Sequence, residues 1–287
     1  MANRSPIAVV TGASRGAGAG IARVLGAHGY TVYVTGRTER PGGSALSGSI
    51  RETAEQVDAL GGRGIAIRVD HSDDEQVRDL FERVGREQGR IDVLVNNAAI
   101  IRDEMMGRTK FWEEPLNVID TLAVGVRSSY VATVFAVPLM VPQGKGLVVF
   151  TSASGAVHYA FGFAYGVPKA GVDKMAADMA VDLEGTGIAA VSMWMGSLLT
   201  QRVRDIVARN PEKLGHILET AETPELTGHV IARLYEDAGL GQLSGQTMIG
   251  AELAAKYKIK DDGDRHPPSC RDLHGVYPHR QFPYVMR

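Results

Sequence analysis

Residues 7–29 read IAVVTGASRGAGAGIARVLGAHG. The stretch opens on an apolar run of strand type, crosses a glycine-rich turn and continues with apolar residues at helical spacing. A glycine-rich turn set between a strand and a helix is the context in which such a turn holds a dinucleotide. Gly12 permits the tight turn out of the strand, Gly16 lets backbone approach a pyrophosphate, and Gly18 lets the helix pack close to the sheet. Phosphates would then meet the helix N-terminus, where unpaired N–H groups and the helix dipole favour an anion. Ser14 and Arg15 lie inside the same loop.

Outward from this unit the pattern repeats. Apolar runs of strand type lie at 31–36, 65–70, 91–98, 146–152, 188–194 and 245–250. Helical patterns lie between them at 49–62, 72–89, roughly 115–141, after Tyr165, and at 223–239. Ser72 with Glu75 predicts a capping box. Thr223 followed by Pro224 predicts an N-cap and a first helical residue. Strands this apolar are buried on both faces, which requires a parallel sheet covered by helices. The fold class is therefore α/β, a Rossmann-type doubly wound parallel sheet with helices on both faces. No linker divides the chain. Residues 1–250 read as the dinucleotide-binding catalytic domain, and 251–287 as a C-terminal extension of it. The stretch 38–49 reads as a long loop, and 260–287 is polar, rich in Pro and His, and irregular.

Composition bounds the function. The 287 residues are 44% apolar and 22% charged, which is globular. A net charge of -2 offers no basic face for nucleic acid and no polybasic membrane patch. No metal-ligating set is assigned. The single cysteine, Cys270, excludes an internal disulfide and points to a reducing, cytoplasmic compartment. MANRSPIAVVTG has no signal-peptide pattern, and no apolar run is expected to span a bilayer.

The second strand ends VTGRT, with Gly36 and Arg37 where an NAD binder places its acid. Arg15 is a second nearby cation, and two guanidiniums suit a 2′-phosphate. NADP(H) is therefore expected over NAD(H). Asp70, closing the third strand, is an acceptor for the adenine amine. Tyr165 and Lys169 lie four apart, one turn along the same helix face.

With TGASRGAG (11–18), Asp70, NNA (96–98), Ser152, YGVPK (165–169) and MGSLLT (195–200) in this order and spacing, the sequence resembles the short-chain dehydrogenase/reductase family. The resemblance implies a hydride transfer between nicotinamide and a small carbonyl or alcohol substrate. Tyr165 would exchange the proton, Lys169 would favour the phenolate and bind the nicotinamide ribose, and Ser152 would hold the carbonyl oxygen. Asn97 would fix the sheet near the ribose and Thr200 the nicotinamide carboxamide. A free Tyr has a pKa near ~10, so reaching ~7 needs about 4 kcal/mol of preferential phenolate stabilisation. A homodimer or homotetramer is implied as well.

Three departures stand out. The family Asn forty residues before the Tyr is Gly125, which marks either a bend exposing a carbonyl or tolerated packing. Ala99 and Met195 replace family glycine and proline. Pro168 requires the helix to begin near Ala164 or to kink. The alternative function is a non-catalytic dinucleotide-binding sensor or scaffold. The intact Ser152, Tyr165 and Lys169 argue against it, and Gly125 is in its favour. The glycine spacing and the absence of a larger C-terminal domain disfavour an epimerase or dehydratase. Phe111, Trp112, His158, Tyr159 and Phe161 are candidates to line an apolar pocket, under a cover formed by 201–218.

Overall fold

A computed structural model describes residues 5–44, 46–106, 109–282 and 284–286. Seven strands form one sheet: β1 (Ile7–Val10), β2 (Thr31–Gly36), β3 (Arg63–Arg68), β4 (Val93–Asn96), β5 (Gly146–Ser152), β6 (Ile188–Trp194) and β7 (Thr247–Ile249). Their order is β3-β2-β1-β4-β5-β6-β7, and every neighbouring pair is parallel. Winding reverses between β1 and β4, so a crevice opens beyond their carboxyl ends. β2, β5 and β6 coincide with the apolar runs in the sequence. β3 starts two residues earlier than its run, because Thr31 of β2 pairs with Arg63 at the solvent edge.

Side chains alternate between two cores, as the two-residue strand period requires. Ala8, Val10, Val93, Val95, Leu147 and Val149 face one core, with helix α1 (Gly16–Ala27), helix α2 (Ile50–Ala59) and the helix Pro224–Glu236. Val9, Leu94, Val148 and Phe150 face the other, with helix α3 (Asp74–Gln88) and the helices Ser128–Met140 and Phe163–Asp182. β1, β4, β5 and β6 are buried along their whole length.

Two caps differ from expectation. Asp73, not Ser72, caps α3, accepting from the N–H groups of Glu75 and Gln76. Asp73 and Gln76 form the same three-residue spacing as Ser72 and Glu75, one position later, and the longer carboxylate takes the role. Ser72 instead donates its hydroxyl to Asp70 at 2.7 Å. Thr223 does sit at the N-cap position of Pro224–Glu236, but its side chain caps nothing and donates to Asp261.

That contact anchors the polar C-terminal stretch. Asp261 also accepts from the Thr223 N–H at 2.9 Å and from Arg265 at 3.0 Å, and is itself buried. Ser269 and Asp272 form a capping box at the helix Cys270–His274. Cys270 and Val276 pack against Trp194 and Ile249. Hydropathy hides this order because the residues that create it are polar.

The run Leu116–Gln143 departs most from a plain helix. Val124 (φ -106°, ψ 88°) and Gly125 (φ 159°, ψ -61°) break it. The freed Val124 carbonyl accepts from the Ile100 N–H at 3.3 Å, and the Gly125 carbonyl accepts from Ser129 Oγ at 2.6 Å. A side chain is strained at the Gly125 backbone conformation. Gly125 is thus a bend that releases a carbonyl. Taken whole, this 28-residue run is long and apolar enough by length and composition to cross a bilayer, contrary to the sequence expectation. The expectation missed it because Asp120 and Arg127 interrupt the apolar letters. Here Ala132, Ala136 and Met140 are buried in the sheet's second core.

Candidate active site

The carboxyl ends of β1 and β4 are tied together. Asn97 Nδ2 donates to the carbonyls of Thr11 (2.9 Å) and Gly12 (3.1 Å), while Thr11 Oγ1 accepts from the N–H groups of Asn97 and Ala98. The three glycines then separate by role. Gly12 has φ 66°, and a Cβ there would lie 2.7 Å from Ala98 Cα, so the tight turn has room for no side chain. A Cβ on Gly18 would lie 2.5 Å from Asn97 Nδ2, which measures how closely α1 packs on the strand ends. Gly16 has φ 56° and faces only Thr200, at 3.6 Å from an added Cβ. The N-cap of α1, Arg15, makes no side-chain cap, so the amides of the first turn keep their capacity for an anion. An open backbone face with uncapped amides fits the pyrophosphate of a dinucleotide. A cavity of about 740 Å³ runs from Ser14, Arg15 and Gly16 to Thr200 and Arg204; Tyr165 does not line it.

The cations divide their work. Arg15 donates to the carbonyls of Leu46 (3.2 Å), Ser47 (2.8 Å) and Gly48 (3.0 Å) and to Thr38 Oγ1 (3.1 Å). It therefore folds the 38–49 loop over the start of α1. Burial and the neighbouring Arg37 both lower its pKa. Arg37 is exposed, 3.9 Å from Asp70 Oδ2. Burial alone would raise the Asp70 carboxyl, but two hydrogen bonds from Ser72 and the charges of Arg37 and His71 bring it below the usual range.

The helix Phe163–Asp182 carries Tyr165 and Lys169. It begins one residue before the expected Ala164 and carries Pro168 in its second turn. The Tyr165 ring lies against Gly155, where an added Cβ would be 2.6 Å from it, and meets Phe161 edge-on at 5.3 Å. Phe161 sits at φ 55°, a left-handed conformation that costs a non-glycine residue roughly 1 kcal/mol. Lys169 Nζ donates to the Thr151 carbonyl at 3.1 Å and stands 5.9 Å from the Tyr165 ring centroid. Burial raises the Tyr165 phenol and lowers the Lys169 ammonium to about 8, with Asp173 opposing the latter. Ser152 is fully buried, and its hydroxyl donates to the Lys169 carbonyl at 3.2 Å rather than pointing at the phenol. Thr200 caps the helix Gln201–Arg209 by accepting from the Val203 N–H, leaving its hydroxyl proton available.

Of the aromatic candidates, Phe161 alone packs on Tyr165. Phe111 and Trp112 meet edge-on at 5.1 Å and are exposed, as is Tyr159. His158 meets Ser154 Oγ at 3.1 Å. Short helices occupy 201–220, and Arg202 donates to the Ile101 carbonyl at 3.3 Å. Among the described residues no group of three or more His, Cys, Asp or Glu is placed to hold a metal ion.

Two of the buried carboxylates that escaped the sequence reading bear on the site. Asp173 lies four residues after Lys169, a spacing that could have been noticed. Glu222 gave no signal. It is 1% exposed, and the backbone of Gly196 lies beside its carboxylate. Burial raises its carboxyl to about 7; the Gly196 N–H works against this, and the Asp261 charge adds to it. Glu222 lies under the Met195–Thr200 segment, with its carbonyl accepting from the Leu199 N–H at 2.8 Å.

Comparison with known proteins gives a consistent picture. A family model described as short chain dehydrogenase matches residues 6–211. The dehydrogenase/reductase SDR family member 1 of Mus musculus is 39% identical over 90% of this chain and 83% of its own length. The Homo sapiens protein of the same name is 38% identical over 95% and 88%. Among solved structures, a Pseudomonas syringae protein assigned as a short chain dehydrogenase superposes with a TM-score of 0.71 at 29% identity, covering 86% of this chain and 95% of that one.

Glu222 makes stability depend on pH. The folded protein keeps the proton up to about 7, whereas the unfolded chain releases it near 4.5. Folding is therefore favoured below 4.5, loses ground as pH rises to about 7, and stays level above. Glu222→Gln is expected to be more stable than the parent at pH 8 and to lose that advantage by pH 4. Urea denaturation at both pH values reads it; an equal difference at the two would show that Glu222 does not titrate this way.

Proposed function

The chain belongs to the short-chain dehydrogenase family and is an oxidoreductase acting on CH–OH or C=O groups, and on that premise we propose that it is an NADP(H)-dependent carbonyl reductase, or an alcohol dehydrogenase in reverse. One observation carries this reading. Tyr165 and Lys169 share a helix face at the carboxyl end of β5, with the Lys169 ammonium held by the Thr151 carbonyl.

The dinucleotide, when bound, supplies or takes the hydride. The first-turn amides of α1 would hold its pyrophosphate across Gly16, Asp70 would accept from its adenine, and Arg37, beside the Arg15-anchored loop, would hold its 2′-phosphate. Asn97 holds the strand ends against the ribose. Thr200 offers its hydroxyl proton to the carboxamide. Tyr165 gives its phenolic proton to the carbonyl oxygen. In the protein alone burial raises that phenol, so Lys169 and the cationic nicotinamide must together favour the phenolate. Ser152 orients the substrate oxygen after its hydroxyl leaves the 3.2 Å contact with Lys169. The Phe161 ring against Tyr165 suits an apolar ketone or aldehyde.

The assembly proposed is a homodimer or homotetramer. Leu116, Ile119, Tyr130, Val134 and Val141 leave one face of the run 116–143 exposed, and pairing this run and the Tyr165 helix across a two-fold axis would cover it.

Three outcomes are expected. Tyr165→Phe keeps the ring's packing and dinucleotide affinity but lowers turnover by at least about 100-fold, the scale of general acid catalysis; a panel of carbonyl compounds with NADPH consumption as readout checks it. Near-native turnover in that variant would favour a sensor over an enzyme. Fluorescence titration is expected to give tighter binding of NADPH than NADH, with Arg37→Asp reversing the order; equal affinities would remove the 2′-phosphate assignment. Light scattering at micromolar concentration is expected to give at least twice the monomer mass of 30.8 kDa, and a monomer would contradict the pairing.

A further inference from the structure

Asp173 is one helical turn beyond Lys169, on the same helix and the same face. It is 8% exposed. Its Oδ1 accepts from Ser192 Oγ at 2.5 Å and its Oδ2 from Trp194 Nε1 at 2.8 Å, both on β6. Trp194 Nε1 can only donate, so the carboxyl oxygen facing it acts as an acceptor. A buried carboxylate requires compensation. Burial raises the Asp173 carboxyl, and the hydrogen bonds from Ser192 and Trp194 and, beyond them, the charge of the Lys169 ammonium work against that rise. The two do not touch directly: Lys169 Nζ is turned to the Thr151 carbonyl. Asp173 therefore acts on Lys169 through space, from a position fixed to the sheet.

The surroundings contain few other ionisable groups. β5 contributes the Thr151 carbonyl and the Ser152 hydroxyl, and β6 contributes Ser192 and Trp194. The run 116–143 meets this part of the helix through Val126 and Gly125. Tyr165 stands on the far side of Lys169. Among the described residues the ionisable groups in play are Tyr165, Lys169 and Asp173.

We propose that Asp173 is a positioning residue for Lys169: its buried negative charge, pinned to β6 by Ser192 and Trp194, keeps the Lys169 amine protonated and aimed at the end of β5. The inference rests on the enzymatic reading above only for the task it gives Lys169. Burial works against the ammonium, and Asp173 is the charge that opposes burial. Without it, Lys169 would lose its proton at lower pH and cease to favour a Tyr165 phenolate.

The test separates charge from packing. Asp173→Asn keeps size and can still accept from Trp194 while donating to Ser192, so it removes mainly the charge. Ser192→Ala removes one hydrogen bond and keeps the charge. The full chain is labelled with 13C at lysine Cε, Lys169 is assigned by its loss in Lys169→Arg, and its titration is followed by NMR. The wild-type Lys169 is expected to be an ammonium at pH 7. Asp173→Asn is expected to lower its midpoint by about one pH unit or more, the effect of losing a nearby opposite charge. Ser192→Ala is expected to leave the midpoint in place. In holoenzyme assays the rising limb of alcohol oxidation moves to higher pH in Asp173→Asn alone. An unchanged Lys169 midpoint in Asp173→Asn overturns the proposal, as does an equal shift in Ser192→Ala. If Asp173→Asn does not fold, the wild-type titration still decides, since a Lys169 amine at pH 7 overturns it. A wild-type chain that turns over no carbonyl or alcohol defeats the enzymatic reading instead, and the Lys169 titration stands apart from that result.

Discussion

Two strand ends must be held side by side for anything at this site to work. β1 and β4 pair through Val10 and Val95, and a further backbone bond runs from the Thr11 N–H to the Val95 carbonyl, short of Gly12 and Asn97. Asn97 extends the tie with two hydrogen bonds to the carbonyls of Thr11 and Gly12, and Thr11 returns the bond through its hydroxyl. Gly18 brings the first helix down onto the same amide. The dinucleotide cradle is thus backbone held by one side chain. Removing Asn97 Nδ2 would leave two part-buried carbonyls short of a partner, a loss of at most about 1–3 kcal/mol each.

Burial sets the chemistry around Tyr165 and Lys169, and it works against both. It favours the neutral phenol and the neutral amine, while proton exchange with a substrate oxygen needs a phenolate within reach and an ammonium beside it. The structure answers with fixed dipoles and charges behind the pair: the Thr151 carbonyl against Lys169, and Asp173 one turn further on. A dry site makes these interactions stronger than they would be in water. The helix that carries the pair is also tethered to β6, so the charges move with the sheet and not independently of it.

Sheet, winding and glycine loop were legible because each depends on apolar spacing or on glycine, and both are visible in the letters. Tyr165 and Lys169 were singled out by their helical spacing, Arg37 by its place where an acid was expected, and Gly125 by the family resemblance. What was not legible depends on polar side chains turned inward. Asp173, Glu222, Asp261 and Ser269 are polar and so carry no apolar spacing, yet all four are buried. Ser72 and Asp73 offered overlapping caps one residue apart, and only the coordinates choose between them. Arg15 looked like a phosphate ligand, and most of its donors close a loop. The left-handed Phe161 over Tyr165 has no sequence signature, since bulky residues are poor candidates for that conformation.

The tie between Thr223 and Asp261 has a temporal side. Thirty-eight residues separate the partners, and during synthesis the chain grows at about 5–20 residues per second. The sheet can assemble through β6 while Asp261 is still to be translated. For that interval the Thr223 amide has no carboxylate, and Trp194 lacks the Cys270 and Val276 that pack near it. The wall of the cavity that Thr223, Lys260 and Asp261 form is consequently finished after the wall that Ser14, Arg15 and Gly16 form.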